Sequence, residues 1–179
     1  PRDRQMAHDI IKQHIHPRPE VLSGVERFKS ENFRPKMIGL HIRGPGRTDG
    51  GVPELRRKYD DTGIVPVEPF FSEVDRLLSF VPDAGIFACS DSSEVIGLII
   101  ERFGDRVVTY PAQRSKFGEM HANHPANKGQ TFLPYDLGLD VLSEALLLAR
   151  CDFFVHGNSN VANFVLCYDP RLLHVYVHA

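Results

Sequence analysis

Two basic side chains come directly after a short apolar run in the first quarter of the chain. The run is MIGL at residues 37–40, and His41 and Arg43 follow it, ahead of a segment rich in Gly and Pro. This pattern predicts a buried strand at 36–42 whose carboxyl end carries both basic groups. In open α/β sheets, ligands bind in the crevice outside the carboxyl ends of the strands. We therefore predict an anion site here, because a guanidinium donates paired hydrogen bonds to phosphate oxygens.

Two other apolar runs end in the same way. Asp91 follows the run at 85–89, and Asn158, Ser159 and Asn160 follow the penultimate run of the chain. The second group opens a predicted helix, and the free N–H groups and positive dipole end of a helix N-terminus attract phosphate. A simpler alternative stays open for both groups, since Asp, Asn and Ser are also common helix caps.

An acidic pair lies in an otherwise apolar helix predicted at 139–149. Asp140 and Glu144 are four residues apart and therefore share one face of that helix. Carboxylates are rarely buried without a partner, so we predict that one of them faces a pocket. A carboxylate there could accept both the N1 and the exocyclic amino protons of guanine, which adenine cannot offer. The alternative is an ordinary solvated helix face.

Composition excludes several classes of function. The chain has 179 residues, a formal net charge of -2 and 42% hydrophobic residues, so we expect a globular domain that binds no nucleic acid. The pairs His14/His16 and His121/His124 lack a third ligand at metal-site spacing, so we predict no metal. The sequence contains no P-loop and no GxGxxG motif. Without a signal peptide or a long apolar run, we predict no membrane span and a cytoplasmic location.

The elements needed to position these residues are those of an α/β protein. Strands are predicted at 36–42, 85–89, 106–110, 152–155 and 172–177, with helices between them and long loops at 43–65 and 111–136. Strands that alternate with helices predict a Rossmann-like, doubly wound, mostly parallel sheet. We predict a helical lead-in at 1–35 and a nucleotide-binding domain at 36–179. The helix after the second strand is expected to begin at Ser90 or Asp91 as its cap.

Three segments resemble the motifs of one enzyme family. PRPEVLSGVERFKSENFRPKMIGLHIRGPGRTD (17–49) resembles the segment around the H-x-R motif of the α1,6-fucosyltransferases and nodulation fucosyltransferases. GIFACSDSSEVI (85–96) is similar to their second motif, and DVLSEALLLARCDFFVHGNSNVANFV (140–165) to their third. The similarity spans nearly the whole chain in the same order. It implies the C-terminal, donor-binding half of a GT-B glycosyltransferase that uses GDP-fucose without a metal or other cofactor.

The resemblance also implies roles for individual residues. It implies that Arg43 holds the β-phosphate, that His41 contacts the nucleoside side and that Ser159 binds the diphosphate at its helix. Glu144 matches the acid that reads guanine, with Asp140 one turn earlier as the second choice. Asp91 falls on the aspartate of the second motif.

The loop after Arg43 departs from the family pattern. Many relatives have a second basic residue where this chain has Gly44, and Arg47 could replace it only if the loop folds back. A base for the acceptor hydroxyl could be Asp49 or Glu54, or the chain could lack one.

The predicted function is inverting transfer of a sugar, most simply fucose, from a GDP-sugar to an acceptor hydroxyl on a glycan or another molecule. Two alternatives remain at this point. One is a non-catalytic module that binds nucleotides or glycans, and the other is a transferase for a different nucleotide sugar.

Overall fold

The protein is described by a computed structural model that covers residues 2–44, 66–115 and 133–178. Five strands in these ranges form one parallel sheet in the order β3-β2-β1-β4-β5. They are β1 (Met37–His41), β2 (Gly85–Cys89), β3 (Val107–Val108), β4 (Phe153–His156) and β5 (Leu173–Tyr176). The order reverses between β1 and β4, which is where a crevice for a ligand opens in folds of this type.

Helices cover both faces of the sheet. In the described ranges they are α1 (Arg2–His14), α2 (Pro19–Asn32), α3 (Glu68–Phe80), α4 (Ser93–Phe103), α5 (Pro134–Leu148) and α6 (Asn160–Tyr168), with a 3₁₀ turn at Gly104–Arg106. β1 and β2 are buried along their whole length. Continuous burial of this kind is typical of parallel sheets, whose crossover helices shield both sides.

Alternate side chains of β1, β2 and β4 belong to two separate hydrophobic clusters. Ile38 and Leu40 pack with α3 and α4 on one face. Met37, Phe87 and Phe154 pack with α2, α5 and α6 on the other. This two-sided core confirms the predicted fold class, a doubly wound parallel sheet.

The helical lead-in packs directly on the domain. α1 contacts α6, and α2 contacts α5. Val25 of α2 is fully buried, and the Phe28 ring meets those of Phe87 and Tyr110 edge to face, with centroids 6.2 and 5.3 Å apart. The boundary predicted at residue 35 is therefore crossed by a shared hydrophobic cluster, and the division into two units stays a prediction.

Some predicted boundaries differ from the observed ones. α5 begins at Pro134 rather than 139, because proline suits the first helical turn, where its missing N–H is no loss. β3 is reduced to two residues because the 3₁₀ turn takes up Arg106.

The predicted cap of α4 was wrong by one or two positions. Ser92, not Ser90 or Asp91, is the cap, and its Oγ accepts a hydrogen bond from the Val95 N–H at 3.3 Å. The Ser90 Oγ instead accepts from the Ser92 N–H at 3.1 Å. The chain thus stays extended for longer than predicted, which leaves the Asp91 carboxylate available for another contact.

Candidate functional site

Three side chains form a row at the carboxyl edge of the sheet. His41 of β1 is in register with Cys89 of β2 on one side and with His156 of β4 on the other. Side chains alternate along a strand, so all three lie on the face that also carries Phe87 and Phe154. The row therefore crosses the position where the strand order reverses. Parallel packing brings together three strand ends that are far apart in sequence.

His41 is buried in the middle of this row. Its Nδ1 lies 3.4 Å from the Ser159 Oγ. Burial, together with the nearby His156 and Arg43, lowers the pKa of His41 from 6.5 to about 4. The imidazole is consequently neutral at neutral pH. It can serve a ligand through a hydrogen bond but not through a positive charge.

The polar group after β4 lies at the N-terminus of α6. Ser159 is buried and caps the helix, its Oγ accepting a hydrogen bond from the Ala162 N–H at 2.9 Å. Asn158 and Asn160 are exposed beside it. The capping role of this turn is therefore confirmed for Ser159, and phosphate binding there stays a prediction.

Arg43 leads into a backbone segment held by Asp91. The Gly44 N–H donates to the Asp91 Oδ1 at 2.6 Å, which joins the chain after β1 to the end of β2. Arg43 itself is half-buried and close enough to His41 to affect the pKa of that imidazole. The carboxylate thus fixes the backbone directly after the arginine.

Glu144 has partners within the protein. Its Oε1 lies 2.5 Å from the Arg114 Nη2, and its Oε2 accepts from the Cys89 thiol at 3.1 Å. Burial raises the pKa of Glu144 to about 7, while Arg114 and Cys89 oppose the rise. One turn earlier, the Asp140 Oδ2 accepts from the Gln113 N–H at 2.9 Å.

The acidic pair therefore contacts the segment after β3, and a pocket facing either carboxylate stays a prediction. Residues 113–115 run beside the start of α4, where the Ser93 N–H donates to the Ser115 carbonyl at 2.8 Å. Reading of guanine by Glu144 stays a prediction. It would require the base to share or displace the contact with Arg114.

Sequence reasoning missed Arg114 and underestimated Cys89. Arg114 lies in a stretch predicted to be a polar loop, where hydrophobic periodicity carries no information. Cys89 is buried as predicted, but it is also a hydrogen-bond donor to Glu144, and burial raises its pKa. The sequence did contain a signal for Arg114, because a buried carboxylate such as Glu144 needs a partner and arginine is the commonest one.

Asp49 and Glu54, the two candidate bases, lie outside the described residues, as does Arg47. Within residues 2–44, 66–115 and 133–178, no group of three or more His, Cys, Asp or Glu side chains is arranged to hold a metal ion. No helix in the same ranges is long and apolar enough to cross a membrane.

An apolar groove of about 450 Å³ lies between α5 and α6. Leu142 and Val161 line it together with Phe164, and it opens beside Asn160 at the first turn of α6. This apolar groove therefore adjoins the turn predicted to hold phosphate.

A sequence comparison identifies a relative of this chain among nodulation proteins. Nodulation protein Z of Bradyrhizobium diazoefficiens is 28% identical over 180 residues, an alignment that covers 96% of this chain and 45% of the relative. The predicted resemblance to fucosyltransferases is confirmed. No protein-family model matches the chain.

Solved structures of fucosyltransferases share the fold. The NodZ α-1,6-fucosyltransferase co-crystallized with GDP matches with a TM-score of 0.54 and 19% identity, over 92% of this chain and 45% of that one. POFUT1 in complex with GDP matches with a TM-score of 0.60 and 11% identity, over 90% and 48%. The chain thus spans a little under half the length of these relatives.

Proposed function

We propose that this chain is the donor-binding part of an inverting, fucosyltransferase-like glycosyltransferase with a GT-B architecture. The donor is a GDP-sugar, most simply GDP-fucose, and the acceptor is a hydroxyl on a glycan or another molecule. The observation that carries the proposal is the contact of His41 with Ser159 at the N-terminus of α6, where the strand order reverses, with Arg43 close to the same imidazole. The relatives crystallised with GDP and GDP-fucose support the choice of donor.

Transfer of the sugar is favoured by positive charge beside the diphosphate leaving group. Transfer breaks the bond between the anomeric carbon and the β-phosphate oxygen, so negative charge grows on the diphosphate as the sugar becomes cationic. Arg43 and the amides at the start of α6 would neutralise that charge. Groups fixed in this way contribute strongly to transition-state stabilisation, and losing one donor costs roughly 100-fold or more in rate.

The remaining residues would bind the nucleoside and the acceptor. Neutral His41 would contact the nucleoside side by a hydrogen bond, and the base would lie against the groove between α5 and α6. Glu144, or Asp140 as the second choice, would read the guanine edge. In an inverting transfer the acceptor oxygen attacks from the face opposite the diphosphate, and Asp49 or Glu54 would take its proton.

Calorimetry on the 179-residue chain tests the donor site. GDP, GDP-fucose, UDP and ADP are titrated separately with no metal added. We expect binding of the two guanine nucleotides and much weaker binding of UDP and ADP. Arg43→Ala should weaken GDP binding roughly tenfold or more, because a charge-assisted contact to phosphate is lost.

Arg27→Ala is the matched control, because Arg27 is an exposed arginine on α2, away from the sheet edge. It should leave GDP affinity unchanged. Preferential binding of UDP or ADP would contradict the GDP-sugar donor. Equal GDP affinity in the native and Arg43→Ala chains would contradict the phosphate role of Arg43.

A further inference from the structure

A line of hydrogen bonds connects α1 to the turn after β4. The Arg4 Nη1 lies 2.8 Å from the His174 Nε2, and the His174 Nδ1 lies 3.1 Å from the His156 Nε2. The His156 Nδ1 lies 2.9 Å from the carbonyl oxygen of Gly157. The line therefore starts on the first helix of the chain and ends on the backbone between β4 and α6.

The chemistry of its ends fixes the direction of every contact. A guanidinium only donates, so the His174 Nε2 must accept and its Nδ1 must carry the proton. That Nδ1–H donates to the His156 Nε2, which leaves the His156 Nδ1–H to donate to the Gly157 carbonyl, an obligatory acceptor. Each histidine is thus neutral with its proton on Nδ1. A second proton on either ring would place two N–H donors opposite each other, so that one hydrogen bond of the line is lost.

The line ends within the proposed donor site. Gly157 is two residues before Ser159, whose hydroxyl lies near His41 and whose helix is proposed to hold the diphosphate. His156 is also the register partner of His41. A change in the orientation of the His156 ring would therefore reach both the turn and the buried histidine of the site.

We propose that Arg4 and His174 are positioning residues that hold His156 and the Gly157–Ser159 turn in the geometry that binds a nucleoside diphosphate, and that they do so only while both histidines are neutral. This rests on the proposed function, because the ligand is the one proposed for that turn. The assignment goes further in giving the lead-in helix a role in donor binding.

The surroundings of His156 favour its neutral form. It faces His41 on β1, His174 and the Tyr176 ring on β5, and Arg4 on α1 through His174. Burial lowers the pKa of both His156 and His174, and Arg4 lowers each of them further, while the Gly157 carbonyl partly opposes the shift at His156. At neutral pH the line is consequently intact, and acid should break it.

The first measurement is an NMR titration of the native chain that follows the ring nitrogens of the histidines. We expect Nδ1–H tautomers for His156 and His174 at neutral pH, and a titration midpoint for each below 6.5, the ordinary value for histidine. Nε2–H tautomers, or midpoints at or above 6.5, would overturn the directed line whether or not the chain binds GDP.

The second measurement compares GDP affinity in the native and Arg4→Met chains above and below the titration midpoint of His174. Methionine keeps an unbranched side chain but donates nothing. Above the midpoint, Arg4→Met should weaken GDP binding roughly fivefold or more, the usual scale of coupling between two sites. Below it, the ratio of the two affinities should fall towards one, because acid breaks the same line in the native chain.

Taking the ratio cancels the titration of the GDP phosphate itself. Arg27→Met, the control, should give a ratio near one at both pH values. If the ratio of native to Arg4→Met affinity for GDP is the same at both pH values, Arg4 has only a general structural role and the proposal is overturned. Absence of GDP binding by the native chain at neutral pH would instead contradict the proposed function, with the tautomers still testing the line.

Discussion

Burial shifts the pKa values of ionisable side chains at the sheet edge, while Arg114 opposes the shift at Glu144. Burial lowers the pKa of His41 to about 4 and raises that of Glu144 to about 7. In both cases burial favours the neutral form, because a low-dielectric interior penalises charge. Arg43, which is half-buried, adds a guanidinium at this edge.

We predict that loss of the buried carboxylate Glu144 destabilises the protein more than loss of the exposed carboxylate Glu26. The two side chains are only 8% and 11% exposed, so removing the carboxylate leaves a buried, unpaired guanidinium. We expect Glu144→Ala to lower the free energy of unfolding by about 3–5 kcal/mol. Glu26→Ala removes a carboxylate from Arg150 in the same way, but Glu26 is 56% exposed and the loss should stay below about 1 kcal/mol.

Urea unfolding of both variants and the native chain checks this prediction. Equal losses for the two variants would contradict the buried ion pair. Glu144→Gln should fold normally, because its amide can accept from Arg114 and donate to the Cys89 sulfur. This variant is the suitable one for testing whether GDP remains preferred over UDP.

At the scale of the elements, the capping of α4 by Ser92 allows Asp91 to bind the backbone after β1. Ser92 caps α4, so Asp91 is not needed there and holds the backbone after β1 instead. The ends of β1 and β2 are thereby joined across the sheet edge. Arg43 is the residue directly before this contact, so its backbone is fixed at the point from which its side chain extends.

Removing this contact should loosen the chain after β1. We expect Asp91→Ala to speed amide exchange at Gly44 roughly tenfold and to weaken GDP binding, because a hydrogen bond to a charged group contributes about 1.5–3 kcal/mol. Asp91→Asn keeps an oxygen acceptor and should change both much less. Hydrogen exchange followed by NMR checks the first effect and calorimetry the second. Unchanged exchange at Gly44 in Asp91→Ala would show that other contacts hold this segment.

At the scale of the whole molecule, the lead-in helices complete one face of the sheet. α2 contributes Val25 to the cluster that contains Phe87 and Phe154, and Phe28 packs against its edge. A parallel sheet needs cover on both faces, because its strands are apolar on each side. The lead-in should therefore unfold together with the sheet rather than before it.

Truncating one ring tests this cooperativity. We expect Phe28→Ala to lower the free energy of unfolding by about 3 kcal/mol while a single transition is kept. Phe80→Ala is the control, because that ring is 73% exposed at the end of α3 and its loss should cost no more than about 0.5 kcal/mol. Urea unfolding followed by circular dichroism and by tyrosine fluorescence checks both. Two separated transitions would instead support the division at residue 35.

The sequence by itself determined the class of fold and the sheet edge at which the candidate site residues lie. Apolar runs that precede His41, Asp91 and Ser159 predict buried strands, and their alternation with helices predicts a parallel sheet. In such a sheet all carboxyl ends meet at one edge, so the clustering follows from the pattern. β2 was predicted with its observed bounds, Gly85–Cys89.

Only the tertiary structure decided which side chains pair. The contacts Glu144–Arg114, Asp91–Gly44 and Arg4–His174 join residues 30, 47 and 170 positions apart. Periodicity reports which face of an element is buried, but it does not report the path of the loops that bring two elements together. A buried carboxylate or imidazole takes whichever donor that path delivers, and here the partners are set by the segment after β3 and by the packing of α1.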